Sequence, residues 1–270
     1  MKVAFQGEAG AYSEQALLGH FGAAETLACE SFEAVFEAVH AGLCDAAMVP
    51  IENSLAGSIH QNYDLLLRHD LQIVGEQSLR VRHCLIALPG VARQDIRKAI
   101  SHPQALGQCA NYLRSHGLLA EQAYDTAGSV KLLKASGARD TAAIASRRAA
   151  DLYGMHILEE GIEDDPENFT RFLAIQRESL AFQGEAKTSI VFTLKNLPGA
   201  LFKAMSVFAL RDIDLTKIES RPLQGSPWEY LFYVDLVGGT GDATVRRALD
   251  HLGEYATMLR VLGSYPRFKA

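Results

Sequence analysis

Short strand-like segments alternate with helix-like segments through the first two-thirds of the chain, and this alternation constrains the fold most. The strand-like runs include residues 3–6, 46–51 and 141–145, which are mainly apolar. Between the first two runs, residues 32–39 repeat apolar side chains at i, i+3, i+4 and i+7, which predicts a helix beginning after Ser31. This order of elements favours parallel sheets of the α/β class.

The pattern changes at residues 183–187, a polar Gln-Gly-Glu-Ala-Lys stretch that we interpret as a linker. The segments predicted beyond it are strand 188–194, helix 198–210, strand 215–220, strand 229–237, helix 243–253 and strand 258–265. This βαββαβ order is typical of a ferredoxin-like fold. The sequence therefore predicts a second, smaller domain after the α/β domain.

Length and charge exclude several classes of protein. The 270 residues are enough for one large domain or two ordinary ones. The formal net charge of -6 opposes nucleic-acid binding, because a basic surplus is needed to displace counterions from phosphates. No stretch approaches the roughly 20 apolar residues that span a bilayer. We expect neither a nucleic-acid partner nor membrane association.

The four cysteines give information about the compartment. Cys29, Cys44, Cys84 and Cys109 form no CxxC pair and do not lie at zinc-finger spacing from a histidine. Isolated cysteines are typical of a reducing compartment. The N-terminus reaches Gly7 before an apolar signal region could form. We expect a cytoplasmic location and no metal site.

Polar residues collect at turns that follow predicted strands. Residues 50–58 (PIENSLAGS), 101–106 (SHPQAL) and 125–129 (DTAGS) are each predicted to open a helix, as is the glycine-containing turn before Ser13. Ligands of open α/β sheets bind beyond the carboxyl ends of strands, where helix N-termini favour anions. We therefore expect helix N-termini to converge on one anionic ligand. Simple helix capping by a serine of residues 50–58 is the alternative.

The segment Asn-Phe-Thr-Arg-Phe-Leu at residues 168–173 carries the most distinctive chemistry. In a strand, Phe169 and Arg171 face one side while Thr170 and Phe172 face the other. A hydroxyl beside a phenyl ring suits a ring-shaped substrate that must lose its own hydroxyl. The alternative is an amphipathic strand with a surface arginine.

The segments PIENSLAGSI, SHPQALGQC, DTAGSV and NFTRF, in this order and at these distances, resemble the prephenate dehydratases. The resemblance covers residues 2–176 and implies two α/β lobes similar to type II solute-binding proteins, with the chain crossing twice between them. The implied catalytic domain is 1–180, with lobe one at 1–76 and 158–180 and lobe two at 77–157. No chorismate mutase segment precedes Met1, which suggests the stand-alone form.

The resemblance implies the decarboxylating dehydration of prephenate to phenylpyruvate, water and CO2, in L-phenylalanine biosynthesis and without a cofactor. It ties Thr170 to the departing hydroxide. Since a threonine hydroxyl is a poor acid, we expect it to donate a hydrogen bond or relay a proton in a dry cleft. Glu52 and His102 are alternative proton sources, and a structural role beside Pro103 is the other interpretation of His102. Phe172 would pack against the ring, and Arg171 would pair with a substrate carboxylate or with Glu52.

The resemblance also implies residues that bind the two substrate carboxylates. These are Asn53, Ser54, Gln104, Thr126 and the backbone N–H groups near Gly128.

Two motifs in the second domain resemble the phenylalanine-binding motifs of the regulatory ACT domain. The implied effector residues are Asn196, Leu197, Pro198, Gly199, Ala200 and Leu201, together with Glu219, Ser220 and Arg221. The resemblance implies an ACT domain at 187–270, feedback inhibition by L-phenylalanine, and a homodimer or homotetramer. A routine strand-to-helix turn and a charged strand end are the alternative for these motifs.

Three other functions compete with this interpretation. Arogenate dehydratase keeps the same chemistry, and nothing in the sequence separates arogenate from prephenate as substrate. A non-catalytic amino-acid-binding protein would share the two-lobed fold but would not need the hydroxyl of Thr170. An NAD-dependent oxidoreductase is excluded, because the glycine-rich dinucleotide fingerprint is absent from the sequence.

Overall fold

The computed structural model describes residues 1–223 and 229–268. Residues 224–228 and 269–270, inside the predicted ACT domain, lie outside the described residues. The chain forms two compact units: Met1–His69 with Gln77–Ala174, and Asp70–Glu76 with the chain from Ile175 onward. No helix among the described residues combines the length and the apolar character that crossing a bilayer requires.

One sheet, with the order β2-β1-β3-β11-β5 and with β4 paired to β3, belongs mainly to the first unit. Residues 72–76 of β5 and 175–176 of β11 belong to the second unit. The strands are β1 (Lys2–Gln6), β2 (Glu25–Cys29), β3 (Ala46–Asn53), β4 (Gly57–Ser58), β5 (Gln72–Arg80) and β11 (Phe169–Gln176); the helices are α1 (Tyr12–Phe21), α2 (Phe32–His40) and α3 (His60–Arg68). β1 runs parallel to β2 and β3. Almost every residue of β3 is buried, as expected for a central parallel strand.

The same unit contains a second sheet with the order β10-β6-β9-β7-β8. Its strands are β6 (Cys84–Ala87), β7 (Lys98–Ser101), β8 (Leu119–Gln122), β9 (Thr141–Ala145) and β10 (His156–Glu160); its helices are α4 (Pro103–Gln108), α5 (Ala110–Ser115), α6 (Thr126–Ser136) and α7 (Arg147–Tyr153), with a 3-10 turn at Arg93–Asp95. β7 is parallel to β8 and β9, whereas β6 is antiparallel to β9 and β10. The α/β class is confirmed, although this sheet is mixed rather than wholly parallel.

The predicted lobe boundaries fall inside strands. The predicted boundary after residue 76 falls inside β5, which continues to Arg80. The predicted boundary after residue 157 falls inside β10, which pairs with β6 of the second sheet. Residues 158–160 therefore belong to the second sheet, although they were assigned to lobe one. The domain limits 1–180 and 187–270 stay predictions.

The second unit contains an antiparallel sheet in the order β13-β14-β12-β15. Its elements are β12 (Ala186–Leu194), α8 (Ala200–Ala209), β13 (Leu215–Pro222), β14 (Tyr230–Val237), α9 (Ala243–Tyr255) and β15 (Ala256–Pro266). Phe192, Phe208, Val234 and Leu252 are fully buried in the core between the sheet and its two helices. The predicted βαββαβ unit is confirmed.

Three helix starts were tested by the structure. Ser31 caps α2 as predicted, because its hydroxyl accepts from the Ala34 amide at 3.2 Å. Ser13 does not cap α1; it lies inside the helix, and the cap position is Ala11. Residues 50–58 do not open a helix directly either. They form a β3–β4 hairpin, and α3 begins after Ile59 without a side-chain cap from Ser54 or Ser58.

Candidate active site

A cavity of about 530 Å³ opens in the first unit where four helices begin. The starts of α1, α2, α4 and α6 contribute Ser13, Ser31, Gln104 and Thr126 to its wall. The first N–H groups of a helix lack partners within that helix, and the helix dipole adds a partial positive charge there. None of the described residues along the wall is Lys or Arg. The cavity therefore favours anions through helix N-termini.

Strand β11 brings a hydroxyl and a phenyl ring to the same cavity. Thr170 and Phe172 line the wall and are 8% and 2% exposed. Phe169, on the other face of the strand, is 38% exposed. The alternation predicted from the sequence is therefore confirmed.

The side chain of Asn53 holds Thr170 in place. Its Nδ2 lies 3.0 Å from Thr170 Oγ1, 2.8 Å from Asn168 Oδ1 and 3.1 Å from the Phe169 carbonyl oxygen. Because Asn53 donates to the Thr170 oxygen, the hydroxyl hydrogen of Thr170 stays available for another acceptor. Accepting one hydrogen bond also makes a hydroxyl a better donor.

The hairpin between β3 and β4 fixes Asn53 itself. Its Oδ1 accepts from the amides of Leu55 and Ala56 at 3.1 and 2.9 Å, which closes the turn. Ser54 joins the hairpin to the strand of Thr170: its amide donates to the Phe169 carbonyl, and its hydroxyl accepts from the Phe169 amide. The local sequence Asn-Ser-Leu-Ala thus forms a rigid support behind Thr170.

The predicted substrate-binding residues are only partly brought together. Asn53, Gln104 and Thr126 line the cavity with Thr170 and Phe172, and so does His102. Ser54 and Gly128 are not part of the wall. The Ser54 hydroxyl donates to the Glu167 carbonyl at 2.7 Å, and the Gly128 amide donates to Asp125 Oδ1 at 2.7 Å, so both groups make structural bonds where substrate contacts were predicted.

Glu52 and Arg171 also lie outside the wall. Glu52 pairs with Ser58 in the register of the hairpin, and Arg171 follows Thr170 on β11, where alternation places it on the opposite face. His102 caps α4, since its Nδ1 accepts from the Gln104 amide at 3.2 Å. This bond favours the structural role that was one of two readings of His102.

The sequence did not reveal one chain of polar contacts at the cavity. Tyr12 Oη lies 2.8 Å from the Arg82 carbonyl oxygen and 3.0 Å from His83 Nδ1, and His83 Nε2 lies 2.9 Å from Gln108 Oε1. Burial lowers the pKa of His83, which keeps the imidazole neutral, and burial raises the pKa of Tyr12. Gln108 falls inside the segment SHPQALGQC, which was singled out from the sequence. His83 is an isolated histidine before a strand, and no sequence pattern marked it as a site residue.

Two carboxylates of the cavity wall, Glu30 and Asp125, were not predicted as site residues. Asp125 lines the cavity and caps α6. Burial raises the pKa of Asp125, and the charge of Glu8 raises it further. Glu8 itself is paired with Lys131 at 3.0 Å and accepts from Tyr124 Oη at 3.0 Å, and the Lys131 ammonium lowers the pKa of Glu8.

The predicted effector residues lie at two places in the second unit. Residues 196–200 lead into α8, where Gly199 takes a left-handed conformation with φ 77° at the cap position. Leu197 and Leu201 are 62% and 41% exposed. Glu219, Ser220 and Arg221 lie near the end of β13, an edge strand of its sheet among the described residues.

Comparison with known proteins identifies the family. The family model described as prephenate dehydratase matches residues 3–180. The chain belongs to the prephenate dehydratase family. A second model, described as ACT domain, matches residues 188–254. Prephenate dehydratases are lyases that remove water and CO2, so family membership favours the enzyme over the non-catalytic amino-acid-binding alternative.

Three proteins similar to this chain indicate its relatives in sequence and in structure. Arogenate dehydratase/prephenate dehydratase 2, chloroplastic, of Arabidopsis thaliana is 52% identical over 98% of this chain and 73% of its own length. A structure of prephenate dehydratase from Arthrobacter aurescens in complex with L-Phe is 34% identical, with a TM-score of 0.90 over 99% of this chain and 90% of that one. A structure described as a novel type of quorum quenching acylase is 36% identical, with a TM-score of 0.92 over 98% of both chains.

Proposed function

We propose that this chain converts prephenate to phenylpyruvate, water and CO2 without a cofactor, as a step of L-phenylalanine biosynthesis. The observation that carries the proposal is the buried hydroxyl of Thr170, held by Asn53 at 3.0 Å in a cavity where helices begin. Prephenate carries two carboxylates and a ring hydroxyl. Helix N-termini suit the carboxylates, and Thr170 suits the departing hydroxyl.

The ring becomes aromatic when the bond to its carboxylate breaks. The bonding electrons enter the ring as CO2 leaves, the C–O bond on the opposite carbon breaks, and the departing hydroxyl takes up one proton to become water. Thr170 donates a hydrogen bond to that oxygen in the transition state, where negative charge develops on it. Phe172, at 2% exposure, packs beside the ring and keeps water away.

Asn53 acts on Thr170 in this proposal and does not hold a carboxylate. Its amide and carbonyl groups already bond to the Thr170 strand and to the hairpin turn. Gln104 and Thr126 remain the proposed partners of the carboxylates, since they lie at the starts of α4 and α6 on the cavity wall. Glu52 and Arg171 have no contact role in this scheme.

One assay tests the function directly. Purified protein is offered prephenate and arogenate in turn, and phenylpyruvate and phenylalanine are quantified. Arogenate is the second candidate substrate, because the Arabidopsis thaliana relative has both activities in its name. Product from prephenate supports the main proposal, and product from arogenate alone would make arogenate the substrate in its place. No product from either substrate would refute the proposed reaction.

L-phenylalanine is the proposed effector. The match to an ACT domain, the L-Phe complex of the Arthrobacter aurescens relative and the open backbone at Gly199 support this. Regulation requires that L-phenylalanine bind one state of the enzyme better than another, since equal affinity shifts nothing.

Changing Gly199 to alanine should raise the Kd of L-phenylalanine by about tenfold or more, because a Cβ disfavours φ 77° and obstructs close approach of a ligand carboxylate. Isothermal titration calorimetry of the full-length protein measures the Kd. Gly253→Ala in α9, where a Cβ meets nothing within 4 Å, is the matched control and should leave the Kd unchanged. A wild-type protein that binds no L-phenylalanine would rule out this regulation.

We also propose a homodimer or a dimer of two dimers. Edge strand β13 exposes Ile218 at 51%, and Leu197, Phe202 and Leu210 are 62%, 77% and 79% exposed in the same unit. An open strand edge with exposed apolar side chains favours pairing with another chain. Sedimentation velocity at micromolar protein checks the mass, and a monomer would contradict the proposal.

A cytoplasmic location is proposed as well. The four cysteines form no disulfide with one another, and Cys44, Cys84 and Cys109 are buried, which is compatible with a reducing compartment. Cell fractionation with detection of the native protein tests this location. Recovery outside the cytoplasmic fraction would contradict it.

A further inference from the structure

The start of α6 brings a carboxylate to the wall of the cavity. Asp125 Oδ1 accepts from the Gly128 amide at 2.7 Å, which completes the helix cap. Its second oxygen, Oδ2, points toward the β1–α1 turn and would lie 3.2 Å from a Cβ on Gly7. Gly7, with φ 114° and no side chain, lets the carboxylate pack close to this turn, and Asp125 also lines the cavity.

Capping alone does not require a carboxylate at this position. Serine, threonine and asparagine cap helices as well as aspartate does. In this chain Ser31 caps α2 at the same cavity and Ser146 caps α7, both through hydroxyl groups. The charge of Asp125 is therefore more than the helix needs.

That charge is poorly matched to a substrate with two carboxylates. No described residue on the wall is Lys or Arg, and Glu30 adds a second carboxylate to the wall. The charge of nearby Glu8 raises the pKa of Asp125 further. Asp125 is partly buried, so water screens its charge less than it would at an exposed position.

The two candidate substrates differ at a single group. Prephenate has a keto oxygen on its side chain and a net charge of two negatives, whereas arogenate has an ammonium there and a net charge of one negative. An ammonium forms a charge-assisted hydrogen bond with a carboxylate, but a keto oxygen cannot donate and meets repulsion instead. Helix N-termini serve the carboxylates of both substrates equally.

We infer that Asp125 is a specificity-determining residue that favours arogenate by pairing with the side-chain ammonium. This inference rests on the proposed function, since it assumes that the cavity carries out the decarboxylating dehydration. It identifies a residue that distinguishes the two substrates, which the sequence alone did not indicate. Thr170 keeps the same role toward either ring.

Changing Asp125 to asparagine removes the charge and keeps both the size and the helix cap. The ratio of kcat/KM for arogenate to kcat/KM for prephenate should fall by about 10- to 100-fold, the range expected for losing one hydrogen bond to a charged group. Steady-state assays of purified wild-type and variant proteins with each substrate give this ratio. Asp125→Ser, which keeps a capping hydroxyl, should shift it in the same direction and serves if the asparagine variant folds poorly.

Glu8→Gln is the matched control for general electrostatics. Glu8 lies close to Asp125 but does not line the cavity, so this variant removes a nearby negative charge and leaves the wall intact. It should change the ratio of the two kcat/KM values by less than about threefold. Equal losses on both substrates in Asp125→Asn, with an unchanged ratio, would show that Asp125 only caps α6 and would overturn the inference. A wild-type enzyme inactive on both substrates would instead refute the proposed function itself.

Discussion

Replacing Thr170 with alanine should lower kcat by about 10²- to 10³-fold, the scale seen when a positioned hydrogen-bond donor to a developing oxyanion is lost. Thr170 is buried in the cavity wall, at 8% exposure, and Asn53 Nδ2 already donates to its hydroxyl oxygen at 3.0 Å. Its hydrogen can therefore point only to another acceptor, which in the reaction is the departing ring oxygen. Steady-state formation of product from the better substrate measures kcat.

The same variant should leave KM almost unchanged. In Thr170→Ala, Asn53 still donates to Asn168 Oδ1 and to the Phe169 carbonyl, so the strand and the hairpin stay joined. The lost bond is one that strengthens in the transition state, and such a loss lowers kcat and kcat/KM together. This split separates a catalytic role from a merely structural one.

Two further changes at this position serve as controls. Thr170→Ser keeps the hydroxyl and should retain activity within about tenfold of the wild type. Thr170→Val keeps the shape but not the hydroxyl and should be as inactive as the alanine variant. Circular dichroism confirms that each variant is folded. A valine variant with normal kcat would remove Thr170 from the mechanism.

The position of Thr170 was predictable because strand alternation is a local rule. Two residues on one face of an extended strand share that face regardless of the rest of the fold. The burial of Thr170 and Phe172 beside exposed Phe169 follows this rule. The capping of α2 by Ser31 was predictable for the same reason, since a cap involves only neighbouring residues.

Contacts across long stretches of chain were not predictable. Tyr12 meets His83 over 71 positions in the sequence, and His83 meets Gln108 over 25. Each of these residues follows its own local pattern, and only the packing of the first unit brings them together. Local patterns therefore predicted that several helix N-termini meet at one cavity. They did not predict the polar contacts between Tyr12, His83 and Gln108.

The hairpin at residues 50–58 was misassigned because two structures share the same turn chemistry. Asn, Ser and Gly favour both a strand-to-helix turn and a tight connection between strands. The decisive bonds run from the Leu55 and Ala56 amides to Asn53 Oδ1 and from Ser54 to Phe169. The second set of bonds depends on a partner strand more than one hundred residues away, which no local pattern shows.

Replacing Glu76 with alanine should lower the free energy of unfolding of the second unit by about 3–5 kcal/mol, because it leaves a buried lysine charge without its partner. Lys187 Nζ lies 2.8 and 2.9 Å from the two carboxylate oxygens of Glu76. The side chain of Lys187 is 11% exposed and that of Glu76 is 3% exposed. Glu76 Oε1 also accepts from the Phe268 amide at 3.1 Å, so the alanine variant loses a third bond.

The cost arises from the unpaired charge and not from the loss of a favourable pair. Two buried ions lose their hydration, and the free energy of their attraction offsets little more than that loss. The double variant Glu76→Leu with Lys187→Met replaces the pair by apolar side chains of similar volume. It should therefore be less destabilised than either Glu76→Ala or Lys187→Ala alone, although the Phe268 amide loses its acceptor.

Urea denaturation followed by circular dichroism measures these differences, with the second unit followed as a separate transition if the two units unfold independently. Arg260→Ala is the matched control. It breaks an ion pair with Asp70 at 3.0 Å, whose aspartate side chain is 90% exposed, and should cost less than about 1 kcal/mol. A Glu76→Ala variant no less stable than this control would show that water reaches Lys187 and that the pair is not buried in solution.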